Sequence, residues 1–391
     1  MGPTHVLEHG DLVHRCFRCG YCKFPADYVD FNCPSYRAGR FDTFSGGGRM
    51  WLIWAWLNDE IKTSPRFAEI LYSCVACGNC TEQCVYPGFK DHLLDIFQEA
   101  KAEIVLEGLI PPTVRDYFKA IAVNGNPYKL PGEERGKWAQ QAGVPRYADQ
   151  EYLFYAGCVG SYDEVGVKMA RAVGTLLKNA GVSMGVLGSR EKCDGNEVKI
   201  LGETGLFGKL AEENIRMFNE LGVKKIITLD PHAMNTFKKD YPRLGGAYQV
   251  FHYTEILELL VRSGRLRPAK TQGTVTYHDP CYLGRHNRVY DAPRSILKSI
   301  PGLQLVEMRR NRVNAFCCGG GGGNFFTDMI GPGEDNPARV RIREALDTGA
   351  SVVAVACPQC AKMLSDAVRD ESLGDRLQVK DIAEIALGFS G

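Results

Sequence analysis

Two groups of closely spaced cysteines near the start of the chain constrain its structure more than any other feature. The first group reads Cys16-x2-Cys19-x2-Cys22 with Cys33 further on, and the second reads Cys74-x2-Cys77-x2-Cys80-x3-Cys84. A C-x2-C-x2-C turn directs three thiolates at one iron-sulfur cubane, and a fourth ligand comes from elsewhere in the chain. The spacing therefore predicts two [4Fe-4S] cubane clusters in this part of the chain.

The fourth cysteines are assigned by the rule that each binds the cluster of the other motif. We expect one cluster to be held by Cys16, Cys19, Cys22 and Cys84, and the second by Cys74, Cys77, Cys80 and Cys33. The pattern departs from the bacterial ferredoxin run, because ten residues separate Cys22 from Cys33 and valine, not proline, follows Cys84. Zinc is the alternative, but a zinc ribbon uses four cysteines, not two triplets each with a fourth.

Length, charge and hydropathy limit the classes of protein that need considering. The chain has 391 residues, enough for two or three domains. Its 47 basic and 46 acidic residues leave a net charge of +1, which offers no broad field for nucleic acid. The longest apolar runs, such as Trp51–Leu57, are far shorter than the roughly 20 residues that span a bilayer. The N-terminus lacks a secretory pattern, so we expect a cytoplasmic protein whose cysteines are not paired in disulfides.

An apolar segment between the two cysteine triplets is predicted to be a helix. Arg49–Leu57 carries Met50, Trp51, Ile53 and Trp54 at near-helical spacing. Core packing between the two cluster lobes is the favoured interpretation. A membrane-surface helix is the alternative, but such a helix carries Lys and Arg on its polar face, whereas Asn58, Asp59 and Glu60 follow here.

The pattern changes to alternating strands and helices after residue 150. Short buried strands are predicted at Tyr152–Ala156, Lys225–Leu229, Thr274–Tyr277 and Ser351–Ala356, and amphipathic helices at 163–180, 204–221, 254–263, 337–348 and 361–369. The expected fold class is α+β multidomain, with a helical ferredoxin-like domain followed by two tandem α/β repeats. We place these domains at 1–135, 150–265 and 270–391, with Asn124–Pro145 as the linker.

The last 240 or so residues contain two copies of one cysteine motif. In the first copy Cys158 is followed by Cys193-Asp194-Gly195 and then by Asp230-Pro231-His232-Ala233. In the second copy Cys281 is followed by Cys317-Cys318-Gly319 and then by Cys357-Pro358-Gln359-Cys360. The second copy therefore has cysteine at all five special positions, whereas the first copy has only two.

These residues make the chain resemble the heterodisulfide reductase family and its Cys-Cys-Gly domain. Related subunits occur in anaerobic glycerol-3-phosphate dehydrogenase, in glycolate and lactate oxidation systems and in class II benzoyl-CoA reductase complexes. With the two-cluster module in front, the chain is similar to the family's fused iron-sulfur subunit, in which a small ferredoxin-like subunit precedes the subunit that carries the Cys-Cys-Gly repeats. The resemblance covers nearly the whole chain from about residue 12.

The resemblance implies one non-cubane [4Fe-4S] assembly held by Cys281, Cys317, Cys318, Cys357 and Cys360. In the family's subunit with two complete repeats, two such assemblies face one another and split a disulfide. Here Asp194, Asp230 and Ala233 stand where the first copy would need ligands. We therefore expect no equivalent cluster in the first copy, and at most a mononuclear metal held by Cys158, Cys193 and His232.

The glycine run Gly319–Gly323 is expected to let backbone approach the cluster, since it carries no Cβ atoms. A phosphate-binding loop is the rival interpretation, but the Gly-Lys-Ser/Thr ending is missing. Histidines near the motifs are expected to be structural or to contact the ligands from outside, although each could bind substrate or metal. They are His232, His252, His278 and His286.

Two functions from different classes remain open. The first is an electron-relay subunit of an oxidoreductase complex, and the second is a catalytic disulfide reductase acting on a small thiol or disulfide. A redox sensor or assembly scaffold is a weaker third. No flavin, nicotinamide, molybdenum or haem motif is evident, so we expect other subunits of a redox complex, a flavoprotein among them, to exchange electrons with the chain. Membrane association is expected only through such a partner.

Overall fold

The computed structural model describes residues 5–27 and 29–388 and begins with a helical module. Its α-helices are α1 (Pro34–Gly39), α2 (Gly46–Leu57), α3 (Pro65–Tyr72), α4 (Asn79–Gln83), α5 (Leu93–Leu106) and α6 (Pro112–Asn124). Short 3-10 helices lie at Gly10–Arg15, Tyr21–Lys23, Asp42–Phe44 and Lys90–His92.

Helix α2 is the central element of this module. Ser45 caps its N-terminus by accepting a hydrogen bond from the Gly48 amide. Met50, Ile53 and Trp56 are buried in the core. The buried Arg49 guanidinium donates to the carbonyls of Phe44 and Ile70 and to two serine hydroxyls. The apolar segment predicted from the sequence therefore packs inside the protein.

The segment expected to be a linker is folded. It carries a 3-10 helix at Gly132–Gly136 and helix α7 (Lys137–Ala142). Trp138 on α7 is buried and packs edge-on against Phe154, with ring centroids 5.5 Å apart. The linker interpretation was wrong, because the indole of Trp138 and the Arg135 side chain are both buried against the first repeat.

Two α/β repeats follow the helical module. The first consists of β1 (Tyr152–Tyr155), α8 (Gly157–Tyr162), α9 (Glu164–Asn179), β2 (Met184–Gly185), α10 (Asn196–Ile200), α11 (Thr204–Glu220), β3 (Lys225–Thr228), α12 (Pro231–Lys239), β4 (Gln249–His252) and α13 (Tyr253–Arg262). The second consists of β5 (Gly273–Tyr277), α14 (Asp291–Ser299), β6 (Leu303–Val306), α15 (Asn324–Thr327), α16 (Pro337–Leu346), β7 (Val352–Val355), α17 (Pro358–Asp370), β8 (Gln378–Asp381) and α18 (Ile382–Leu387). Further 3-10 helices lie at Gly188–Arg190, Tyr241–Leu244 and Arg312–Asn314.

Each repeat contains one four-stranded parallel sheet, and the two sheets have the same topology. The strand orders are β2-β1-β3-β4 and β6-β5-β7-β8. Leu153 pairs with Ile226 in the first sheet, and Val275 pairs with Val352 in the second. The expected fold class is confirmed. Because all strands are parallel, the cysteine motifs that follow the central strands lie at the carboxyl edge of each sheet.

The two repeats pack against one another through helices and one buried polar contact. Helix α9 packs on α17 and α18, and α13 packs on α14. The Tyr253 hydroxyl at the start of α13 donates to Asp381 at the end of β8, at 2.5 Å. Among the described residues, no helix is both long and apolar enough to cross a membrane.

Candidate metal centres

The first cysteine group surrounds the N-terminus of α2. Cys16 and Cys22 lie beside Gly46 and Gly47, and the Gly47 amide donates to the Cys22 thiol at 3.2 Å. A Cβ on Gly46 would come within 2.9 Å of the Cys80 Cβ atom, so the helix start sits between the two triplets. Unpaired amides at a helix N-terminus favour negative charge, which suits a group of thiolates.

The second group runs from the turn between α3 and α4, which carries Cys74 and Cys77, into α4, which carries Cys80. Ala76 and Gly78 have φ values of 47° and 75°, which bend the chain sharply between the three cysteines. Cys33 forms the N-cap residue of α1, and Cys84 forms the C-cap of α4. The four residues of each predicted set therefore come from two separate stretches of chain.

Charge interactions among the thiols indicate which of them lie close together. Burial raises the pKa of Cys16, and the neighbouring Cys19 and Cys84 raise it further. Burial raises the pKa of Cys80 well above its ordinary value, and Cys74, Cys77, Cys22 and Cys33 add to the effect. Cys84 is thus near the first triplet and Cys33 near the second. Cys22 is close to Cys33 as well, so the two groups are adjacent.

Five buried cysteines converge at the carboxyl edge of the second sheet. The Cys317 thiol lies 3.7 Å from the Cys281 sulfur, and the Cys318 thiol lies 3.3 Å from the Cys360 sulfur. Cys357 and Cys360 also hydrogen-bond one another. The structure therefore brings all five predicted residues into one pocket of sulfur atoms.

His278 follows β5 and contacts this pocket. Its nearest ligand atom lies with those of Cys318 and Cys360 in a group no more than 4.8 Å across. The Arg341 guanidinium donates to His278 Nδ1 at 3.0 Å, so Nε2 carries the ring proton. Burial lowers the pKa of His278, while a hydrogen bond to Cys318 opposes that effect. A neutral imidazole therefore lies against the Cys318 sulfur.

The helical module contacts the second repeat through sulfur atoms. Cys77 hydrogen-bonds Cys317, and this contact is the main reason that the pKa of Cys77 is raised well above its ordinary value. The buried Arg285 guanidinium donates to the Cys77 carbonyl at 2.7 Å and to the Ala315 carbonyl at 2.7 Å. His286 donates from Nε2 to the Ala76 carbonyl at 2.9 Å. The second cysteine group and the five-cysteine pocket are therefore in direct contact.

The glycine run Gly319–Gly323 packs closely at the contact between the helical module and the second repeat. A Cβ on Gly322 would approach the Cys74 carbonyl oxygen to 2.2 Å, and one on Gly321 would approach the Val75 oxygen to 2.7 Å. The Gly319 amide donates to the Cys317 thiol at 3.3 Å. The missing side chains thus let the run approach the backbone of the helical module as well as the sulfur pocket.

The first repeat keeps a buried pair of cysteines at the corresponding edge. Cys158 and Cys193 hydrogen-bond one another, and the Arg135 guanidinium donates to the Cys158 sulfur at 3.0 Å. Arg135 is held by Glu191 at 2.7 Å, and both are buried. Neither residue was singled out from the sequence, because nothing in the cysteine spacing points to an arginine more than twenty residues before Cys158.

A narrow cavity of about 20 Å³ lies between the repeats, with room for about one water molecule. Cys158, Cys193 and Asp230 line it from the first repeat, and Gln359 lines it from the second. Burial raises the pKa of Asp194, which also lines the cavity, to about 6. The cysteine pair therefore shares this small space with Asp230, whose carboxylate lies in a group with Cys357 no more than 4.8 Å across.

The four motif histidines have different environments. His232 bonds Glu197 at 2.5 Å and lies with Asp230 and Cys357 in a group no more than 4.8 Å across, so it turns toward the second repeat. The expected mononuclear metal set of Cys158, Cys193 and His232 is not among the groups of close ligand atoms in the described residues. His252 and His286 bond backbone carbonyls, and burial lowers the pKa of each to about 3.

The donor chemistry fits iron-sulfur clusters. All fifteen cysteines lie in the described ranges and are unpaired, and thirteen of them belong to the three sulfur-rich groups. Burial raises the pKa of Cys22 to about 12, so an empty site would keep such thiols protonated. Coordination to iron favours the deprotonated form, because a thiol that binds a metal loses its proton. Soft thiolates in this number select iron-sulfur centres over hard cations.

Two family models match the chain. A 4Fe-4S dicluster domain matches residues 12–86, and a cysteine-rich domain matches residues 152–238 and 275–365. In fold, the chain resembles a hypothetical protein from Helicobacter pylori whose crystal structure is known. The TM-score is 0.52 at 9% identity, over 99% of this chain and 74% of that one.

Curated relatives fall into two groups by length. The chain is 40% identical to the probable iron-sulfur-binding oxidoreductase FadF of Bacillus subtilis and 36% identical to the EtfAB:quinone oxidoreductase of Syntrophomonas wolfei. Each match covers 81% of this chain and 46% of the relative. The chain thus spans about half the length of these relatives.

A third relative matches nearly end to end. It is HdrD, a subunit of the dihydromethanophenazine:CoB–CoM heterodisulfide reductase of Methanosarcina barkeri, 31% identical over 96% of this chain and 94% of that protein. Both cysteine-rich repeats and the dicluster module lie within that span. The chain belongs to the HdrD family of heterodisulfide reductase subunits, a family of iron-sulfur oxidoreductase subunits.

Proposed function

We propose that this chain relays electrons through two [4Fe-4S] cubanes to one non-cubane [4Fe-4S] assembly. Iron-sulfur clusters accept and release single electrons when bound. Cys16, Cys19, Cys22 and Cys84 would hold the first cubane, and Cys74, Cys77, Cys80 and Cys33 the second. Cys281, Cys317, Cys318, Cys357 and Cys360 would hold the non-cubane assembly.

The contact between Cys77 and Cys317 carries this proposal. It joins a residue assigned to the second cubane to one assigned to the non-cubane assembly, so no solvent gap separates the two sites. At the other end, Cys19 is the one exposed cysteine among the fifteen described. Cys19 is assigned to the first cubane, whereas the five cysteines of the non-cubane assembly are all buried. This difference in exposure supports entry or exit of electrons at the first cubane.

The partners are other subunits of a redox complex, with a flavoprotein as the electron donor or acceptor. One relative is named for exchange between EtfAB and quinone, and another for exchange between dihydromethanophenazine and the CoB–CoM heterodisulfide. Both names describe electron transfer between two different reactants. A relay chain between such reactants needs no substrate pocket of its own.

A catalytic disulfide reductase is the second candidate. The relative matched nearly end to end favours it, because that protein is named as a subunit of a heterodisulfide reductase. The first repeat weighs against it, since Asp194, Asp230 and Ala233 cannot replace three thiolates of a facing assembly.

Rapid mixing of the anaerobic, reduced protein with a one-electron acceptor would separate the two functions. A relay predicts that reduced clusters reoxidise with a one-electron acceptor and remain reduced when a small disulfide is offered alone. Turnover of a small-molecule disulfide by the isolated chain with an artificial donor would replace the relay with the catalytic function.

A further inference from the structure

The first repeat contains a buried cysteine pair that the relay does not use. Cys158 follows β1 at the start of α8, and Cys193 lies just before α10. Both are nearly fully buried, with 8% and 6% of their surface exposed. They occupy the positions that Cys281 and Cys317 occupy in the second repeat, where the two sulfur atoms are 3.7 Å apart.

The surroundings of Cys158 favour a thiolate. The Arg135 guanidinium lies 3.0 Å from its sulfur, and Cys193 donates a hydrogen bond to it. That hydrogen bond and the Arg135 charge lower the pKa of Cys158 against the opposing effect of burial. Reactive dithiols in proteins have this arrangement, in which one thiolate is held by a cation and by the thiol of its partner.

A metal does not account for this arrangement. Arg135 is a cation directed at the Cys158 sulfur, so it competes with a metal ion for the same lone pairs. Among the described residues, no third ligand atom completes a compact group with Cys158 and Cys193. The pair shares its cavity with Asp230 and Gln359, and Asp230 lies with Cys357 of the five-cysteine pocket in a group no more than 4.8 Å across.

We propose that Cys158 and Cys193 form a redox-active dithiol that stores two electrons beside the five-cysteine pocket. Oxidation removes two electrons from the pair and one proton from the Cys193 thiol, because Cys158 is already a thiolate, and forms one S–S bond. Reduction breaks that bond with two electrons and one proton. The electrons pass singly to or from an iron-sulfur centre, and the proton passes to or from water in the cavity or the Asp194 and Asp230 carboxylates.

The test counts thiols in the anaerobic holoprotein, poised at stepped potentials with one-electron mediators. Acid quenching, denaturation and alkylation are followed by peptide mapping of all fifteen cysteines. We expect a form in which thirteen cysteines are alkylated and Cys158 is linked to Cys193, and its fraction should follow a two-electron Nernst curve. Fifteen alkylated cysteines at every potential would overturn the proposal.

The second repeat supplies an internal control. Cys281 and Cys317 occupy the equivalent positions, so a link between them at the same potentials would indicate cluster breakdown with indiscriminate oxidation and would overturn the proposal. Iron or zinc bound through Cys158 would also overturn the proposal. Because the readout is thiol chemistry, failure here leaves the relay proposal standing.

Two variants test the part played by Arg135. Arg135→Lys keeps the positive charge and should leave the midpoint potential of the Cys158–Cys193 pair close to that of the unmodified chain. The double change Arg135→Gln with Glu191→Gln removes the buried pair together, which avoids leaving one charge unpaired. It should shift the midpoint to lower potential, because a less stabilised thiolate makes the disulfide relatively more stable. An unchanged midpoint in a folded double variant would contradict the proposed thiolate.

Discussion

Cys77 of the helical module hydrogen-bonds Cys317 of the second repeat, and a buried arginine holds the two segments together. Arg285 donates to the carbonyl of Cys77 itself, and also to Val313 and Ala315 in the loop that leads to Cys317. The contact between the two cysteines is therefore fixed by hydrogen bonds from the Arg285 side chain to backbone carbonyls on both sides.

Replacing Arg285 should loosen this junction. Arg285→Gln leaves buried carbonyl groups without a donor, at a cost of about 1–3 kcal/mol for each that finds no substitute. We expect a lower thermal midpoint and a several-fold slower electron transfer from the helical module to the second repeat, measured by stopped-flow absorbance. Arg243→Gln is the matched control, because Arg243 is exposed. Equal behaviour of the two variants would refute the role given to Arg285.

Gly322 tests the close approach of the glycine run to the module. Gly322→Ala would place a Cβ atom 2.2 Å from the Cys74 carbonyl oxygen, at a residue with φ of 62°. Gly331→Ala has a similar φ of 74° with nothing within 4 Å, so it carries only the conformational cost of about 1–2 kcal/mol. Gly322→Ala should lower stability further and should cost iron. If both variants unfold at the same temperature and keep their full iron content, the close approach of Gly322 to the Cys74 carbonyl is not needed.

The central strands could be predicted from the sequence, whereas the edge strands could not. Strands β1, β3, β5 and β7 lie at the centre of their sheets, and most of their residues are buried because both faces of each sheet are covered. Strands β2, β4, β6 and β8 lie at the edges, are short or partly polar, and were missed. Their pairing comes from the tertiary fold and leaves little periodic signal.

The cysteine spacing predicted the sulfur-rich groups, but it could not predict the polar residues around them. Arg135, Arg285 and Arg341 reach the cysteine sites from distant parts of the chain. Such contacts depend on how the module and the repeats pack, and no local pattern encodes them. The same packing buries Trp138 against Phe154, so the segment expected to be a linker is folded against the first repeat.

The ligand exchange between the two cubanes can be tested at Cys33. Cys33→Ala should damage the cluster held by Cys74, Cys77 and Cys80 and leave the other intact, because Cys33 lies near Cys77. Electron paramagnetic resonance of the reduced protein would show which cubane signal is lost. Cys84→Ala should remove the other signal. Loss of the same signal in both variants would refute the exchange.

The contact between the repeats should make stability depend on pH. Burial raises the pKa of Asp381 from its ordinary value of 3.8 to about 8 in the folded protein. The folded state therefore retains a proton that the unfolded chain releases, so this contribution is full below about pH 4 and is lost as pH rises through about 8. It amounts to a few kcal/mol.

Asp381→Asn should remove most of that pH dependence, because the amide does not titrate. Thermal midpoints of the two proteins between about pH 5 and pH 9, the range of the expected loss, would show it. The unmodified chain should lose stability across this range, and the variant should lose less. If the thermal midpoints of the two proteins fall by the same amount across this range, a group other than Asp381 causes the pH dependence.

Iron and sulfide analysis of the anaerobically purified chain tests the central claim most directly. Three clusters of four irons predict about twelve irons per chain. Cys360→Ser, in the five-cysteine pocket, should lower the content to about eight, whereas Cys193→Ser, in the first repeat, should leave it at about twelve. About sixteen irons in the unmodified chain, with a loss of about four in Cys193→Ser, would reveal a second assembly in the first repeat and contradict the relay.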